Sequence, residues 1–589
     1  MQNIKRLFCY IIIMFFLITA GAGIPVYADV NTDVQKFSDV PESNYAYKAV
    51  NDLKTLGITT GIGNNMFGFG KSITRGEFVT FLVRLMGWEQ VYPEMGSFTD
   101  NQDKTKYYYK TIETALIKGV ITKDSEKFRP EEPTTREEMA VMIVRCLNYG
   151  TLAVKLDYLG KPFPDINRNF GFVTIAKDFG IINGDGVNFN PDGTALKEQA
   201  AAMMMRMYDR LNAPLKELNA FYAISSNSQQ DKLTSLTSVS FGWSRLNYFA
   251  ETGQIVLNSA HDGTKNQEFY IPEGFSERVK TAKQNNIPAL LSVFASQDTK
   301  ITDVQSNTSV GLVEYIITRP EIYRKVIEDI ISRVLLATRD NETESFDGVV
   351  IDFESMKGET LKQYFNTFLK ELRQKLDENG KKLYVTVHPR ISSNRSISFD
   401  GYDFKTIGSI ADKVVLMAHD YNAKSLTSSN MADGWDITPL TPLEDVYYAL
   451  KAITDTKEGI EDKSRIMLQI SFDWVVWQKK DGKTLNSIPK TYNYENFIKL
   501  LNTTNVNIQY SDLYRNPYIK YTDNVTGLEN TIWYEDTRSV LEKIKLANMF
   551  GIQGISLWRL GTIPDYIPSE GQIFYLDIWQ NILKSLRRN

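Results

Sequence analysis

The sequence predicts a protein of the α/β class, a (β/α)8 TIM barrel with an α+β insertion, preceded by three mainly helical repeat modules. Two observations predict this architecture. The first third of the chain repeats a short signature at intervals of 61 residues, and the remainder alternates apolar β-rich runs with helical stretches. At roughly 100–200 residues per domain, the 589 residues are enough for several domains.

Composition excludes several classes of protein. The chain is 42% hydrophobic and 23% charged, which is ordinary for globular proteins. Its formal net charge of −4 gives no indication of nucleic-acid binding. With only three histidines (His261, His388 and His419) and two cysteines (Cys9 and Cys146), a Cys/His zinc site and a disulfide framework are both disfavoured. These counts do not exclude a metal site made only of carboxylates.

The first 28 residues have the layout of a secretory signal peptide. Lys5 and Arg6 precede a short apolar run, Leu7–Ala20, and Val26-Tyr27-Ala28 offers a small-residue cleavage site. The run is shorter than the roughly 20 residues of a membrane-spanning helix, although an uncleaved anchor helix is the alternative. We therefore expect an exported chain with no stable membrane span after cleavage, and with Cys146 as its one remaining thiol.

Each repeat has the same three parts. An opener is followed by a helical stretch that ends at a Gly-hydrophobic step, and then by a loop and a short signature. The openers are Phe37-Ser38-Asp39-Val40-Pro41, Phe98-Thr99-Asp100 and Phe163-Pro164-Asp165-Ile166. The Gly-hydrophobic steps are Gly57-Ile58, Gly119-Val120 and Gly180-Ile181. The signatures are Ile73-Thr74-Arg75-Gly76-Glu77, Thr134-Thr135-Arg136-Glu137-Glu138 and Thr194-Ala195-Leu196-Lys197-Glu198.

Helix capping explains only part of the signature. Thr74 with Glu77 fits the T-x-x-E capping box, as does the equivalent pair in the second repeat. Capping does not require a cation at the next position, and a positive charge in the first turn is mildly unfavourable for the helix dipole. The recurring cation, Arg75, Arg136 or Lys197, therefore indicates contact with an anionic ligand. The alternative is a solvated surface side chain.

The three units resemble S-layer homology (SLH) modules, whose pattern opens with F-x-D-V and carries T-R-A-E at the start of the second helix. The resemblance implies a pseudo-trimer that binds a pyruvylated secondary polysaccharide of the cell wall through Arg75, Arg136 and Lys197. The third unit departs from the pattern, with Ala195 in place of Thr and Lys197 in place of Arg, so we expect its cap to be lost. The modules are expected at 37–92, 98–150 and 163–211.

A second unit is expected at 218–589, with eight strands. Two clear helices, Pro320–Arg339 and Thr360–Leu376, lie between strands, which is typical of a parallel barrel. The longest gap, at about 478–531, is assigned to the insertion. The predicted strands are Phe221–Ser225, Val239–Trp243, Ala289–Phe294, Gly348–Glu354, Leu383–Val387, Val414–Met417, Ile466–Ile470 and Gly554–Trp558.

The fourth strand is the most informative, because active sites of such barrels lie at the carboxyl ends of strands. Val350, Asp352 and Glu354 share one face of the strand, whereas Asp347 has the opposite parity and is assigned a structural role. Two carboxylates at i and i+2 suit glycoside or ester hydrolysis, with proximity raising the pKa of one of them. The alternative is a solvated acidic strand end.

This segment resembles the D-G-x-D-x-D-x-E strand of glycoside hydrolase family 18, the chitinase-like barrels. Further matches are Met417-Ala418-His419-Asp420-Tyr421 for M-x-Y-D, and Gly554-Ile555-Ser556-Leu557-Trp558-Arg559-Leu560-Gly561 for the eighth strand. Residues 517–521 and 533–539 resemble the branch that cleaves spore cortex or peptidoglycan.

The resemblance implies a substrate-assisted mechanism that needs no metal or organic cofactor. Glu354 is then the general acid and base, and Asp352 orients the substrate's acetamido group, which acts as the nucleophile. Asp420 helps to hold the distorted sugar. The expected sugar contacts are Trp558, which stacks under the ring, with Met417 and Tyr421.

Three positions depart from the family pattern. Val350 replaces its middle Asp, so Asp352 lacks a carboxylate below it. His419 stands where Tyr donates to the acetamido oxygen, with a core histidine as the alternative. The S-x-G-G of the third strand is absent, and the chain has Ser292-Val293-Phe294-Ala295 there.

Together these features predict a secreted, wall-anchored, endo-acting glycosidase at the cell surface, associated with an S-layer. Its expected substrate contains N-acetylglucosamine, with peptidoglycan or another wall glycan favoured over chitin. A non-catalytic, lectin-like barrel is the alternative, because Val350 and His419 depart from the pattern. A third alternative is that the chain is a structural surface-layer protein.

Overall fold

The computed structural model describes residues 35–156, 160–261, 269–390, 399–419, 421, 425–490, 494–503, 506–567 and 574–586. The chain divides into two compact units between Asn212 and Ala213. The segment predicted as a signal peptide, 1–28, lies outside the described residues. None of the described helices combines the length and the apolar character that crossing a membrane requires.

The N-terminal unit is helical, as predicted. Second helices of the modules pack against first helices of their neighbours, α2 on α3, α4 on α6 and α7 on α1, so the three modules close into a ring. The helices described in this unit are α1 (Tyr47–Thr55), α2 (Arg75–Leu85), α3 (Tyr109–Ile117), α4 (Arg136–Cys146), α5 (Gly150–Leu156), α6 (Phe170–Asp178) and α7 (Lys197–Leu211).

The openers fix the loop of each module in the same way. The Asp39 carboxylate accepts hydrogen bonds from the backbone N–H groups of Phe67, Gly68 and Phe69 at 2.7–2.9 Å. Asp100 and Asp165 bind the corresponding loops. The opening Phe contacts the loop Phe with ring centroids 5.5 Å apart in every module. The F-x-D opener is therefore a folding signal that closes the loop onto the module.

The two predicted capping boxes are confirmed. Thr74 accepts from the N–H of Glu77, whose side chain accepts from the N–H of Thr74, and the second module repeats both bonds. In the third module the cap position belongs to Leu196, so aligning Ala195 with Thr was wrong by one residue. The hydroxyl of the cap is absent there, but Gln199 still accepts from the N–H of Leu196.

The C-terminal unit alternates strands with helices. Its strands are β1 (Glu217–Tyr222), β2 (Ser238–Phe249), β3 (Gln254–Asn258), β4 (Ala289–Ser296), β5 (Lys300–Thr302), β6 (Ser309–Gly311), β7 (Ala337–Arg339), β8 (Glu342–Glu344), β9 (Gly348–Glu354), β10 (Lys382–Val387), β11 (Lys413–Leu416), β12 (Ile466–Ser471), β13 (Val475–Lys480), β14 (Lys483–Thr484), β15 (Asn507–Ser511), β16 (Asn516–Thr522), β17 (Glu529–Trp533) and β18 (Gly554–Trp558). Its helices are α8 (Phe275–Gln284), α9 (Leu312–Ile317), α10 (Pro320–Leu335), α11 (Glu359–Glu378), α12 (Phe404–Ile410), α13 (Ser428–Ala432), α14 (Leu443–Ile453), α15 (Tyr494–Thr503), α16 (Thr537–Phe550) and α17 (Ile578–Leu586).

Eight parallel strands form a closed barrel. The order is β1-β18-β12-β11-β10-β9-β4-β2, and β2 pairs back to β1. Each of the eight predicted runs overlaps a barrel strand, and the fourth and eighth have the predicted bounds. The first strand begins and ends earlier than expected, because the chain after Tyr222 turns into a 3-10 segment at Ile224–Ser235.

One predicted helix is too long. The periodic pattern predicted Pro320–Arg339, but α10 ends at Leu335. Residues Ala337–Arg339 pair antiparallel with Glu342–Glu344 as the β7–β8 hairpin, so a tertiary pairing overrides the local helical pattern.

The insertion forms a second, antiparallel sheet with the order β14-β13-β17-β16-β15 and carries α15. Trp474, Phe497 and Tyr534 stack in its core. The sheet begins at Val475 and its last strand ends at Trp533, which places α+β structure in the long gap between two barrel strands.

The barrel interior is filled by side chains of alternate residues. Val350 is fully buried in an apolar layer formed by Phe221, Leu290, Val350, Tyr384, Val415 and Met467, with Trp558 packed against it. A carboxylate at position 350 would have to lie in this layer. Polar side chains instead begin two residues further along the strands, toward the carboxyl ends.

Candidate active site

The two carboxylates of the fourth strand lie at the end where the fold permits a site. Asp352 and Glu354 follow Val350 on the inward face of β9, and Glu354 is the last residue of that strand. Asp347 lies before the other end of β9, where its carboxylate accepts from the N–H of Ala289 at 2.9 Å. That contact ties β9 to β4 and is consistent with the structural role predicted for Asp347.

Residues from four barrel strands, β1, β9, β12 and β18, and from the loop that follows a fifth, β11, line one small cavity here. Its volume is about 140 Å³, and its lining consists of Phe221, Asp352, Glu354, Met417, His419, Gln469 and Trp558. Five of these residues were predicted as site residues from the sequence. Phe221 and Gln469 were not.

Asp352 is a buried carboxylate. It is 6% exposed and accepts a hydrogen bond from the Thr386 hydroxyl at 2.6 Å. Burial raises its pKa to about 6, while the bond from Thr386 and the charge of His419 act in the opposite direction. The expected rise therefore occurs, but its cause is burial and not the proximity of a second carboxylate.

Glu354 lies at the rim of the cavity. Its side chain is 31% exposed, which lets solvent or a glycan reach the carboxyl group. His388, which follows β10, places Nε2 4.0 Å from Glu354 Oε2 and stacks on Phe399 with ring centroids 4.3 Å apart. The sequence reasoning missed His388. The available signal was a histidine directly after a predicted barrel strand.

The remaining predicted residues divide into three groups. Met417 and Trp558 line the cavity, and the Trp558 ring lies 5.3 Å from that of Phe221. Tyr421 is not among the described residues that line the cavity. Asp420 lies outside the described residues.

His419 and Gln469 form a polar contact on the wall of the cavity. His419 Nε2 is 2.8 Å from Gln469 Oε1. An imidazole thus occupies the position where the family pattern has Tyr, and a side-chain amide from β12 holds it. In the described part of the chain, no group of three or more His, Cys, Asp or Glu side chains is arranged to hold a metal ion.

The repeat cations lie at the joints between modules and not on a solvated surface. The Arg75 guanidinium donates to the Phe128 carbonyl at 2.9 Å, forms an ion pair with Glu138, and covers the Phe128 ring at 4.8 Å. Lys197 is 6% exposed and donates to Glu77 at 2.5 Å. At both joints a carboxylate of one module neutralises a cation of another.

The third joint lacks that carboxylate. Arg136 donates to the Phe189 and Asn183 carbonyls at 2.8 and 2.9 Å, and within the described residues no carboxylate lies within 4.0 Å of its guanidinium. Gln199 occupies the position that Glu77 and Glu138 hold in the other modules. A cavity of about 440 Å³ opens at this joint, and its lining includes Arg136, Gln199, a second cation, Arg206, and one carboxylate, Asp185.

Comparison with known families agrees with both units. The family Glycosyl hydrolases family 18 matches residues 218–562. The S-layer homology domain matches residues 36–79, 97–140 and 162–201.

Among curated proteins, a cortical fragment-lytic enzyme of Bacillus anthracis is 28% identical over 285 residues, which cover 47% of this chain and 57% of that relative. The S-layer protein sap of Bacillus anthracis is 25% identical over 220 residues, covering 36% of this chain and 26% of the relative. The chain therefore spans less than two thirds of the length of either relative.

The crystal structure of the Bacillus cereus spore cortex-lytic enzyme SleL aligns with a TM-score of 0.45 and 19% identity, covering 63% of this chain and 74% of that one. The family match covers more than half of the chain, and it falls on the barrel that carries Asp352 and Glu354. The chain belongs to the glycosyl hydrolases of family 18 and carries three S-layer homology domains ahead of its barrel.

Proposed function

We propose that the barrel hydrolyses a cell-wall glycan at N-acetylglucosamine by a substrate-assisted, retaining mechanism, and that the repeat unit holds the enzyme on an anionic wall polymer. The observation that carries the first part is the placement of Glu354 at the rim of a cavity that also contains the buried carboxylate of Asp352 and the Trp558 ring. Peptidoglycan is favoured over chitin because wall-anchoring modules would keep the barrel beside it.

In the first step, the protonated Glu354 carboxyl group gives its proton to the glycosidic oxygen as the bond from C1 to that oxygen breaks. The carbonyl oxygen of the substrate's own 2-acetamido group attacks C1, which closes an oxazolinium ring. In the second step, water adds to C1, Glu354 takes the proton from that water, and the ring reopens. The product keeps the configuration of the substrate at C1.

Asp352 supports the charge that develops during the first step. Its pKa of about 6 leaves it ionised at neutral pH, so it can accept from the acetamido N–H and stabilise the positive oxazolinium ring. Its hydrogen bond from Thr386 fixes the carboxylate on the inward face of the barrel. Trp558 offers an aromatic face on which the apolar face of a sugar stacks.

The second part of the proposal concerns the joints of the repeat unit. An anionic polymer segment fits the cavity beside Arg136 better than the other two joints, where Glu138 and Glu77 already neutralise the cations. Arg206 supplies a second positive charge to the same cavity. Arg75 and Lys197 would then contribute mainly by holding the ring of modules in shape.

The test of hydrolysis uses the full chain with purified peptidoglycan and with N-acetylglucosamine oligomers, and follows the appearance of new reducing ends. Wild type should release them, and Glu354→Gln should lower the rate about 10²–10⁴-fold, the usual contribution of a general acid–base residue. The matched control is Glu359→Gln, an exposed carboxylate at the start of α11, which should leave the rate unchanged. No release by wild type would support a lectin-like barrel, and equal release by Glu354→Gln would remove Glu354 from the mechanism.

A further inference from the structure

Gln469 is a buried amide with an unused donor. It lies on β12, two residues after Met467 of the apolar layer, so its side chain points into the barrel. It is 2% exposed, and its Nε2 atom has no hydrogen-bond partner among the described residues. Leaving such a donor unsatisfied in a protein interior is unfavourable, so a residue of this kind calls for a function.

The contact with His419 determines which end of the amide faces the cavity. Gln469 Oε1 lies 2.8 Å from His419 Nε2 and, as an amide oxygen, accepts a hydrogen bond from the Nε2–H tautomer. With the oxygen held in this way, the two N–H donors of the same amide remain for another partner. Because Gln469 lines the same cavity as Asp352 and Trp558, a substrate in that cavity can supply the partner.

We propose that Gln469 is a substrate-binding residue whose amide N–H donates to the carbonyl oxygen of the 2-acetamido group, with His419 as the positioning residue that fixes its orientation. The inference rests on the proposed function. An acetamido group carries one donor and one acceptor. Asp352 is a carboxylate that accepts from the N–H, and Gln469 supplies the complementary donor for the C=O.

This assignment gives His419 and Gln469 a joint role. The family pattern has a tyrosine hydroxyl as donor to the acetamido oxygen, and this chain has an imidazole there. The imidazole uses Nε2 on Gln469 Oε1, so the donor that meets the substrate comes from the neighbouring strand instead. Binding through Gln469 also orients the carbonyl oxygen that must attack C1.

The test measures binding by the full chain in a Glu354→Gln background, so that the ligand is not consumed. The probes are the tetramer of N-acetylglucosamine and the tetramer of glucosamine, which lacks the acetyl carbonyl. Adding Gln469→Met, which keeps the length of the side chain but removes the donor, should weaken binding of the acetylated tetramer about tenfold. Binding of the deacetylated tetramer should change less than twofold. Adding His419→Phe instead should produce the same selective loss, because the amide is no longer oriented.

Equal changes for both tetramers, or no change for either, would overturn the inference. Urea unfolding of each variant shows whether the barrel is intact. Hydrolysis by wild type is measured separately. If wild type hydrolyses glycan and Gln469→Met still prefers the acetylated tetramer to the deacetylated one, only this inference is overturned. If preference for the acetylated tetramer depends on Gln469 but wild type releases no new reducing ends, only the proposed hydrolysis is overturned.

Discussion

Two sites, one in each unit, bury charge in different ways. In the repeat unit, the buried ammonium of Lys197 meets the carboxylate of Glu77. In the barrel, the buried carboxylate of Asp352 accepts from the neutral hydroxyl of Thr386 and lies near His419, and among the described residues no Lys or Arg lies within 4.0 Å of it. Burying a carboxylate without a Lys or Arg beside it is unfavourable, so Asp352 reduces the stability of the barrel. The Lys197–Glu77 pair, in contrast, holds two modules together. If the proposed function is correct, the difference separates a charge kept for chemistry from a charge kept for folding.

The joint at Arg136 is intermediate between the paired charge of Lys197 and the unpaired charge of Asp352. Arg136 is positioned like Arg75, with a neighbouring carbonyl and an aromatic ring beneath it, but faces Gln199 instead of a glutamate. Among the described residues no carboxylate is in ion-pair contact with Arg136, although Asp185 also lines the cavity, so the guanidinium can pair with an anionic ligand. The repeat unit thus contains two structural joints and one that resembles a binding site.

Removing the charge of Asp352 tests this comparison with the largest expected effect. Asp352→Asn keeps an acceptor for Thr386 but loses the anion that stabilises the oxazolinium ring, so kcat for peptidoglycan should fall about 10²–10³-fold. Asp481→Asn, on an exposed turn of the insertion, is the matched control and should retain full activity. Retained activity in Asp352→Asn would mean that the buried carboxylate serves no chemical step.

The same variant tests the cost of burial through its pH dependence. The pKa of Asp352 is raised to about 6 from an ordinary 3.8, so between these values the folded chain binds more protons than the unfolded chain. Its stability should therefore fall as pH rises from about 4 to 6, by on the order of 3 kcal/mol relative to Asp352→Asn. Urea unfolding followed by tryptophan fluorescence measures this difference, since seven of the eight tryptophans lie in the barrel unit. If the free energy of unfolding changes with pH in the same way in wild type and in Asp352→Asn, Asp352 is not a buried anion.

For the repeat unit, the comparison predicts that removing a paired charge destabilises it. Lys197→Met leaves Glu77 without its cation and should cost about 2 kcal/mol. Hydrogen exchange in the full chain, followed peptide by peptide, should show faster exchange in α2 and α7. Lys48→Met is the control, because Lys48 pairs with Asp52 on an exposed helix face and such pairs contribute well under 1 kcal/mol. Equal effects of the two variants would contradict a structural role for the Lys197 joint.

The smallest expected effect comes from completing the third joint. Gln199→Glu should pair with Arg136 as Glu138 pairs with Arg75, which should stabilise the repeat unit by about 1 kcal/mol. The same change should weaken retention on isolated cell walls, because the added carboxylate competes with an anionic polymer. The reciprocal variant Glu138→Gln should destabilise the Arg75 joint without weakening retention through the Arg136 cavity. Stronger retention in Gln199→Glu would count against anion binding there.

Local patterns predicted much of the fold. All eight barrel strands were identified because buried parallel strands are continuous apolar runs, and both capping boxes follow from residues only three apart in sequence. The end of α10 was missed because helical periodicity does not show that Ala337–Arg339 pair with Glu342–Glu344, a strand that lies beyond the helix. The partners of the repeat cations were missed for a related reason, since Arg75 and Glu138 meet only when two modules pack against each other.

The site was predicted in part. Asp352, Glu354 and Trp558 carry motifs that can be read from one segment each, and they meet in one cavity. Gln469 and His388 were missed because each depends on which strands become neighbours in the barrel. One signal was available for Gln469, since a single amide inside the buried run Ile466–Ser471 shares its parity with the inward residue Met467.

The central claim is that Glu354 and Asp352 perform substrate-assisted hydrolysis, and the anomer formed first tests it most directly. The full-length wild type would be mixed with the tetramer of N-acetylglucosamine in an NMR tube, and the anomeric protons of the new reducing ends followed before mutarotation. The account predicts the β anomer first, because the acetamido group and then water attack C1 from opposite faces. Initial formation of the α anomer, or no new reducing end from either this tetramer or peptidoglycan, would contradict it.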